Sequence, residues 1–278
     1  MKKIQILAAT SATVFTASTV VSTTTQVASA ASKKTVTVGV VGDSDRQLWE
    51  YVVKDAKKKY GITIKLKEFT DYVQPNKAVA DGSLDLNSFQ TLNYFKTQNP
   101  EYKNKLATIG KTYITPIKLY SKTLTSLKDI KKGATIAIPN DASNEKRALD
   151  LLVSAKLIKY DTSKKTPTAK DITKNKKNLK IKEVESAQAA AALKSVDAAV
   201  VNTNYALDAK LTDKETLFTE PVNKKAAGYI NYIVALKKDK NKKIYKQVVK
   251  AYQTDKTKKH IKALYGTAEK AAWDIKLK

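Results

Sequence analysis

The sequence predicts an α/β protein folded in two lobes. Runs rich in β-branched residues recur along it, and each is followed by a turn and a segment of helical period. This succession occurs twice, with one strand and one helix left over.

The first unit opens with Thr35 to Val41, an alternating stretch that reads as a strand. Gly42-Asp43-Ser44-Asp45 reads as a turn with N-cap candidates ahead of a helix from Leu48 to Tyr60, which Gly61 closes. A second strand is expected at Ile62 to Glu68, a short helix from Gln74 to Asp81 stopped by Gly82, and a third strand at Leu84-Asp85-Leu86. That order favours a parallel sheet with right-handed crossovers.

The second unit starts near Tyr113 to Tyr120 and continues with the strand Thr135 to Ile138, the turn Pro139-Asn140-Asp141 and a helix from about Asn144 to Ala155. Thr162 to Asn178 is polar and lysine-rich, a solvated loop or short helix. A strand at Ile181 to Val184, a helix at Ala187 to Leu193 and a buried strand at Ala198 to Asn202 complete the unit. Tyr229 to Leu236 is a further strand, and Lys242 to Leu264 keeps helical period up to Gly266. The chain then divides into one lobe made of residues 31–115 with 230–278 and another of residues 116–229. Ligands of open α/β sheets sit at the carboxyl ends of the strands, so the turns Gly42 to Arg46, Pro139 to Asn144 and Asn202 to Asn204 should line the cleft.

Met1-Lys2-Lys3 carries positive charge, Ile6 to Val21 is weakly apolar, and Val27 to Ala31 is a run of small residues. This is the order of a secretory signal peptide, with cleavage expected near Ala30. The apolar run is shorter than the roughly 20 residues a spanning helix needs. The chain contains no cysteine, so a disulfide, a thiolate metal site and a thiol-linked lipid are all excluded. A secreted protein associated with the cell surface or wall, without a lipid anchor, is the resulting expectation.

Lysine and arginine number 52 against 26 acidic residues, a net charge of +26. The lysines are spread along the chain without interleaved stacking aromatics, which argues against nucleic acid. An anionic cell wall or membrane surface is the expected counter-charge. The only arginines are Arg46 and Arg147. Where lysine supplies the bulk charge, an arginine suggests a task that needs the planar fork, such as gripping a carboxylate with two parallel bonds, or else a surface salt bridge.

Catalysis finds little support. His260, the sole histidine, sits in a lysine-rich helical stretch and is expected to be solvated, while Asp43/Asp45 and Asp81/Asp85 read as caps and turns. No phosphate loop, metal cluster or nucleophile motif occurs, so no catalytic residue, metal or cofactor is expected.

Several segments resemble the methionine-binding lipoprotein family of NlpA type: Phe69-Thr-Asp-Tyr-Val-Gln-Pro-Asn76, Leu84-Asp-Leu-Asn-Ser-Phe-Gln90, Ile136-Ala-Ile-Pro-Asn-Asp141 through Arg147, and Ala198-Ala-Val-Val-Asn-Thr-Asn-Tyr205. With Gly110-Lys111 and Gly228-Tyr-Ile-Asn231 they span nearly the whole chain after the leader. The resemblance implies a periplasmic-binding-protein-like fold of type II, each lobe a mixed sheet flanked by helices, closing on a free amino acid or short peptide in the cleft. It implies a substrate-binding protein of an ABC importer, with the transporter's permease as partner, acting as a monomer.

Matched to that family, Arg147 stands where the ligand carboxylate is held, in the first turn of a helix whose dipole also favours an anion. Asn144, one turn earlier, adds a contact or caps the helix. Asn202 and Asn231 match two polar contacts, and an amide can both donate to a carboxylate and accept from an ammonium. Asn204 is assigned to turn chemistry. Tyr72, Phe89 and Tyr94 fall on positions that wall the side-chain slot, where flat rings can sandwich a thioether.

Three departures stand out. Thr91 replaces the histidine usual in methionine-binding members, which reshapes the slot and leaves cystine, a methionine-containing dipeptide or another apolar amino acid open beside methionine. Glu145-Lys146 replaces a pair of glycines and should crowd the helix start. The cysteine that anchors family members is missing. Together with the charge, these departures motivate an alternative, a cell-surface adhesin or wall-associated protein that kept the fold.

Overall fold

Strand β1 (Thr35–Val41) buries Val36, Val38 and Val40 completely, as its alternation requires. It runs directly into helix α1 (Gly42–Tyr60), which starts six residues earlier than expected. The supposed turn at Gly42 to Asp45 is the first turn of this helix, and Val41 at the N-cap supplies no side-chain cap. The cap comes from far along the chain: Asp208 Oδ1 accepts from the Ser44 amide at 3.0 Å. Gly42 has φ +84°, and a Cβ there would stand 2.1 Å from the Asp208 carboxylate, so glycine is required on both counts.

The computed structural model describes residues 34–277, and the expected leader, residues 1–30, lies outside the described residues. After α1, Gly61 adopts the left-handed conformation and ends the helix. β2 (Thr63–Phe69) and α2 (Gln74–Asp81) fall where expected. β3 is Leu86–Thr91, not Leu84 to Leu86, and leads into α3 (Leu92–Gln98) and β4 (Leu106–Ile114). The shift has a physical cause. Asn87, Ser88 and Gln90 are buried polar residues, and three amides are knitted together behind the strand. Asn76 and Gln90 exchange bonds of 3.0 and 2.6 Å, and Asn87 Nδ2 reaches Asn76 Oδ1 at 2.9 Å. A polar-looking run can be a core strand when its side chains satisfy one another.

The chain then continues through β5 (Lys118–Tyr120), β6 (Thr135–Pro139), α4 (Ala142–Ser154) and β7 (Lys159–Tyr160). The lysine-rich stretch contains a short strand, β8 (Ile172–Lys174), paired with β7. β9 (Lys180–Val184), α5 (Ala189–Ala192), β10 (Ala198–Val201), α6 (Thr203–Asp208), β11 (Thr216–Thr219) and β12 (Ile230–Leu236) follow. The last helical stretch is two helices, α7 (Lys243–Tyr252) and α8 (Asp255–Tyr265), before β13 (Lys270–Ala271). The break falls at Thr254, whose side chain caps α8 by accepting from the Thr257 amide at 3.1 Å.

Two mixed sheets result. The first has the order β13-β4-β12-β3-β1-β2 and the second β11-β5-β10-β6-β9. β1 pairs in parallel with β2 and β3, and β6 with β9 and β10, while β12 and β5 run antiparallel to their neighbours. The chain crosses between the sheets twice, after β4 and after β11. The crossings are tied together, because the Glu220 amide donates to the Ile117 carbonyl at 3.0 Å and the Ile117 amide to Glu220 Oε2 at 3.2 Å.

Two residues, His260 and Asp45, sit differently from expectation, and Arg46 takes one of the two uses expected for an arginine. His260 is half-buried, stacked on Tyr51 with ring centroids 3.6 Å apart, and its Nε2 has no hydrogen-bond partner among the described residues. Arg46 takes the salt-bridge role, contacting Asp43, Glu50 and Glu68. Asp45 is buried and accepts from the Tyr113 phenol at 2.8 Å.

Burial pushes the Asp45 carboxyl up to about 7, against the lowering effect of Tyr113 and with help from the charge of Asp208. Burial also raises Glu269 well above its ordinary range, reinforced by Asp45 and Asp208. Its Oε2 has no partner among the described residues. Both acids hold a proton more tightly folded than unfolded, so their contribution is complete below the ordinary values of 3.8 and 4.5. It is lost as pH rises, through about 7 for Asp45. The melting temperature should therefore fall between about pH 5 and pH 8. Calorimetry of Glu269→Gln should show a flatter decline over that window, and an unchanged slope would remove Glu269 from the account.

Candidate functional site

The carboxyl ends of β3, β6 and β10 converge where the two sheets meet, and the segments that follow them, with the loop after β2, enclose a cavity that Gly42 to Arg46, expected from the sequence to line it, does not reach. β12 begins at the same place, with Asn231 in register with Thr91. Tyr72, Phe89, Thr91 and Tyr94 line it from the first sheet's segments, Asn144, Arg147 and Asn202 from the second's, and Asn231 from β12. All eight residues singled out from the sequence thus face one space. Open solvent at its mouth included, the space between the walls is about 420 Å³.

The aromatic end is a cluster. The ring centroids of Tyr72 and Phe89 are 5.6 Å apart and stacked, and Tyr94 meets them edge-on at 5.8 and 5.9 Å. The rings are held by hydrogen bonds: the Tyr94 phenol donates to the Tyr72 carbonyl at 3.0 Å, and the Tyr72 phenol to Asn204 Oδ1 at 2.6 Å. Burial raises the Tyr72 and Tyr94 phenols well above their ordinary range, with smaller contributions from nearby charges that include Asp141. Both remain neutral hydrogen-bond donors. Thr91 sits at the N-cap of α3, and its hydroxyl accepts from the Tyr94 amide at 3.2 Å.

At the polar end, α4 begins at Ala142, so Arg147 lies in its second turn rather than its first. The backbone amides at the helix start are not what positions it. Arg147 is 2% exposed, and its fork already holds a carboxylate, that of Glu220. Nε donates to Glu220 Oε1 at 2.9 Å and Nη2 to Glu220 Oε2 at 2.6 Å, while Nη2 also reaches the Thr115 carbonyl at 2.7 Å. The guanidinium stacks on Tyr229 at 4.1 Å. The two parallel bonds expected for a ligand are therefore made within the chain, and Nη1 is the nitrogen with no described bond.

The amides are linked as well. Asn202 Nδ2 donates to Asn144 Oδ1 at 2.8 Å, and Asn144 Nδ2 donates to both carboxylate oxygens of Asp141, at 3.1 and 2.9 Å. Asn231 Nδ2 points to the Tyr113 carbonyl at 3.4 Å. Asn204, assigned to turn chemistry, lines the cavity as well as holding Tyr72.

Glu145 and Lys146 do not crowd the site. The Glu145 carboxylate accepts from the Ala169 amide at 2.9 Å and is pushed up to about 7, first by burial and then by its bond with Glu183. Lys146 pairs with Asp150 at 2.7 Å. Both side chains are directed away from the cavity walls, which is why non-glycine residues fit.

Sequence reasoning missed Glu220, and also Gln90, Tyr113, Thr115 and Ile117 among the lining residues, whereas Thr203 lies in the turn Asn202 to Asn204 that was expected there. Glu220 carried one signal, an acidic residue before a proline in a lysine-dominated chain. The rest lie on strand ends and crossings that only the fold brings together.

Two mixed sheets joined by two crossings, with the site where their strand ends meet, are the architecture of the type II periplasmic substrate-binding proteins, which are binding proteins and not enzymes. The chain belongs to the NlpA lipoprotein family, whose model matches residues 36–273. It is 41% identical over 222 residues to a probable D-methionine-binding lipoprotein MetQ of Pasteurella multocida, covering 79% of each chain. A nutrient-binding protein from Burkholderia cenocepacia, solved bound to methionine, is 42% identical with a TM-score of 0.82, covering 85% of this chain and 99% of that one. The substrate-binding protein of a methionine transporter from Streptococcus pneumoniae is 42% identical with a TM-score of 0.81, covering 86% and 96%.

The family corrects one expectation. A secreted protein without a lipid anchor does not agree with a family and relatives named as lipoproteins, and that localisation is withdrawn. The absence of cysteine bears on one attachment chemistry alone.

Removing the partner of a buried charge costs more than the pair itself contributes. Glu220→Ala should destabilise the protein by roughly 3–5 kcal/mol, read as a lowered urea midpoint. A loss below about 1 kcal/mol, the value of an exposed pair, would contradict the burial of Arg147.

Proposed function

We propose that this protein is the substrate-binding component of an ABC importer and that it binds a free amino acid, methionine first among the candidates. The observation that carries the reading is the polarity of the cavity. One end presents an arginine and three asparagines, suited to an ammonium and a carboxylate, and the other presents three aromatic rings, suited to an apolar or thioether side chain. The names of the relatives point the same way. Thr91 in place of histidine keeps cystine and a short methionine-containing peptide within the reading.

In this reading residues 31–115 with 230–278 form one lobe and 116–229 the other. Closure around the ligand creates the surface that the transporter's permease recognises. The protein acts as a monomer, and its surplus of lysine draws it to anionic surfaces. Nothing in the site or among the relatives favours the adhesin alternative.

Native mass spectrometry of the purified protein should reveal a bound mass in the amino-acid range. Calorimetry against methionine, cystine and methionine dipeptides should then rank them, with Arg147→Ala lowering affinity at least tenfold, about 1.4 kcal/mol. Absence of binding to every amino acid and peptide tested would sink the proposal.

A further inference from the structure

Asn202 lines the cavity, and an asparagine amide can offer a ligand either its oxygen or its nitrogen. Which one it offers decides whether the site accepts a proton from an ammonium or donates one to a carboxylate. Here the choice is made by a group that does not line the cavity. Asp141 ends β6's turn at the N-cap of α4. An ionised carboxylate accepts and never donates, so Asn144, which bonds both oxygens of Asp141 through its side chain, must present Nδ2 to them. That turns Asn144 Oδ1 toward Asn202 and obliges Asn202 to present Nδ2 in return, at 2.8 Å. The Asn202 oxygen is left as the acceptor.

Asp141 is itself fixed. Its Oδ1 also accepts from the Asn144 backbone amide at 3.0 Å, and its Oδ2 accepts from the Ser186 hydroxyl at 2.9 Å. The carboxylate therefore sits in one orientation, anchored from α4 and from the turn after β9. A charge at the end of a chain of amides also polarises each bond along it, in a site where burial weakens solvent screening.

We propose that Asp141 is a positioning residue that sets the polarity of the cavity: through Asn144 it locks Asn202 with its oxygen toward the ligand, so that the site selects a ligand bearing an ammonium group. The inference deepens the amino-acid reading given above and rests on it. It assigns the ammonium selectivity to a residue two amides removed from the ligand.

The test compares methionine with 4-(methylthio)butanoate, the same molecule without its amino group, by calorimetry on the full chain. The native protein should favour methionine strongly. Asp141→Asn keeps a good N-cap residue for α4 but replaces the obligate acceptor with a group that also donates, so both downstream amides are free to turn over. The preference for methionine should then fall by roughly ten- to a hundredfold, the range of a lost hydrogen bond to a charged group. Affinity for the deaminated analogue should hold or rise.

Asn144→Ala is the second arm. It breaks the relay and spares the helix cap, which uses the Asn144 backbone amide, and it should show the same loss of discrimination even where Asp141→Asn does not fold. A variant that weakens both ligands equally, or keeps the native ratio within about twofold, overturns the inference while leaving the amino-acid reading intact. A native protein that binds methionine and its deaminated analogue alike overturns it too, and one that binds neither them nor other amino acids defeats both proposals.

Discussion

The bidentate pair of Arg147 and Glu220 is the constraint on which the site depends. Both side chains are almost withdrawn from solvent, 3% and 10% exposed, and such burial carries a desolvation cost that the pair's attraction offsets only with good geometry. The geometry is good: two parallel bonds, a third to the Thr115 carbonyl and a stacked ring at Tyr229. Thr115 lies on the first crossing between the sheets, and Glu220 and Tyr229 lie on the second. One guanidinium from α4 therefore fastens the second sheet's helix to both connections. It is fixed before any ligand arrives, so little ordering cost remains for the binding step.

That pair also sets the electrostatics of the cavity. With Glu220 beside it, Arg147 contributes a neutralised pair rather than a free cation, and the remaining polarity comes from amides whose orientation is dictated from outside. Asn231 and Asn202 both turn their nitrogens onto protein acceptors, the Tyr113 carbonyl and Asn144 Oδ1. Dipoles held this way do not have to reorganise around a charged ligand. A zwitterion suits such a site, because no net charge has to be matched.

Much of this was legible in the sequence, for local reasons. β1, the left-handed Gly61 and Gly82, β6 and β10 follow from alternation, glycine conformation and apolar runs, all of which act over a few residues. The resemblance to the family picked out eight of the residues that line the cavity, six of them inside the motif segments and Thr91 and Tyr94 just beyond one. What escaped depends on distant partners. The early start of α1 relies on Asp208, 164 positions along the chain. β3 looks polar, and its burial depends on amides that Asn76 satisfies from α2. Arg147 was recognised as a carboxylate binder, but that its partner would be Glu220 is a consequence of two crossings meeting. Local pattern finds elements; it does not find the contacts that commit a side chain to one of two uses.

Thr91 shows how these levels meet in a single residue. Judged by size, a threonine in place of a histidine enlarges the slot. In the fold its hydroxyl is engaged as the N-cap of α3 through the amide of Tyr94, a bond of a kind that contributes about 1 kcal/mol to a helix start. Histidine does not rank among the residues that favour that position. Tyr94 in turn bonds the Tyr72 carbonyl, and Tyr72 bonds Asn204 across the cavity. The threonine that takes up less room thus also ties down the aromatic wall, because it fixes where Tyr94 and, through it, Tyr72 are held.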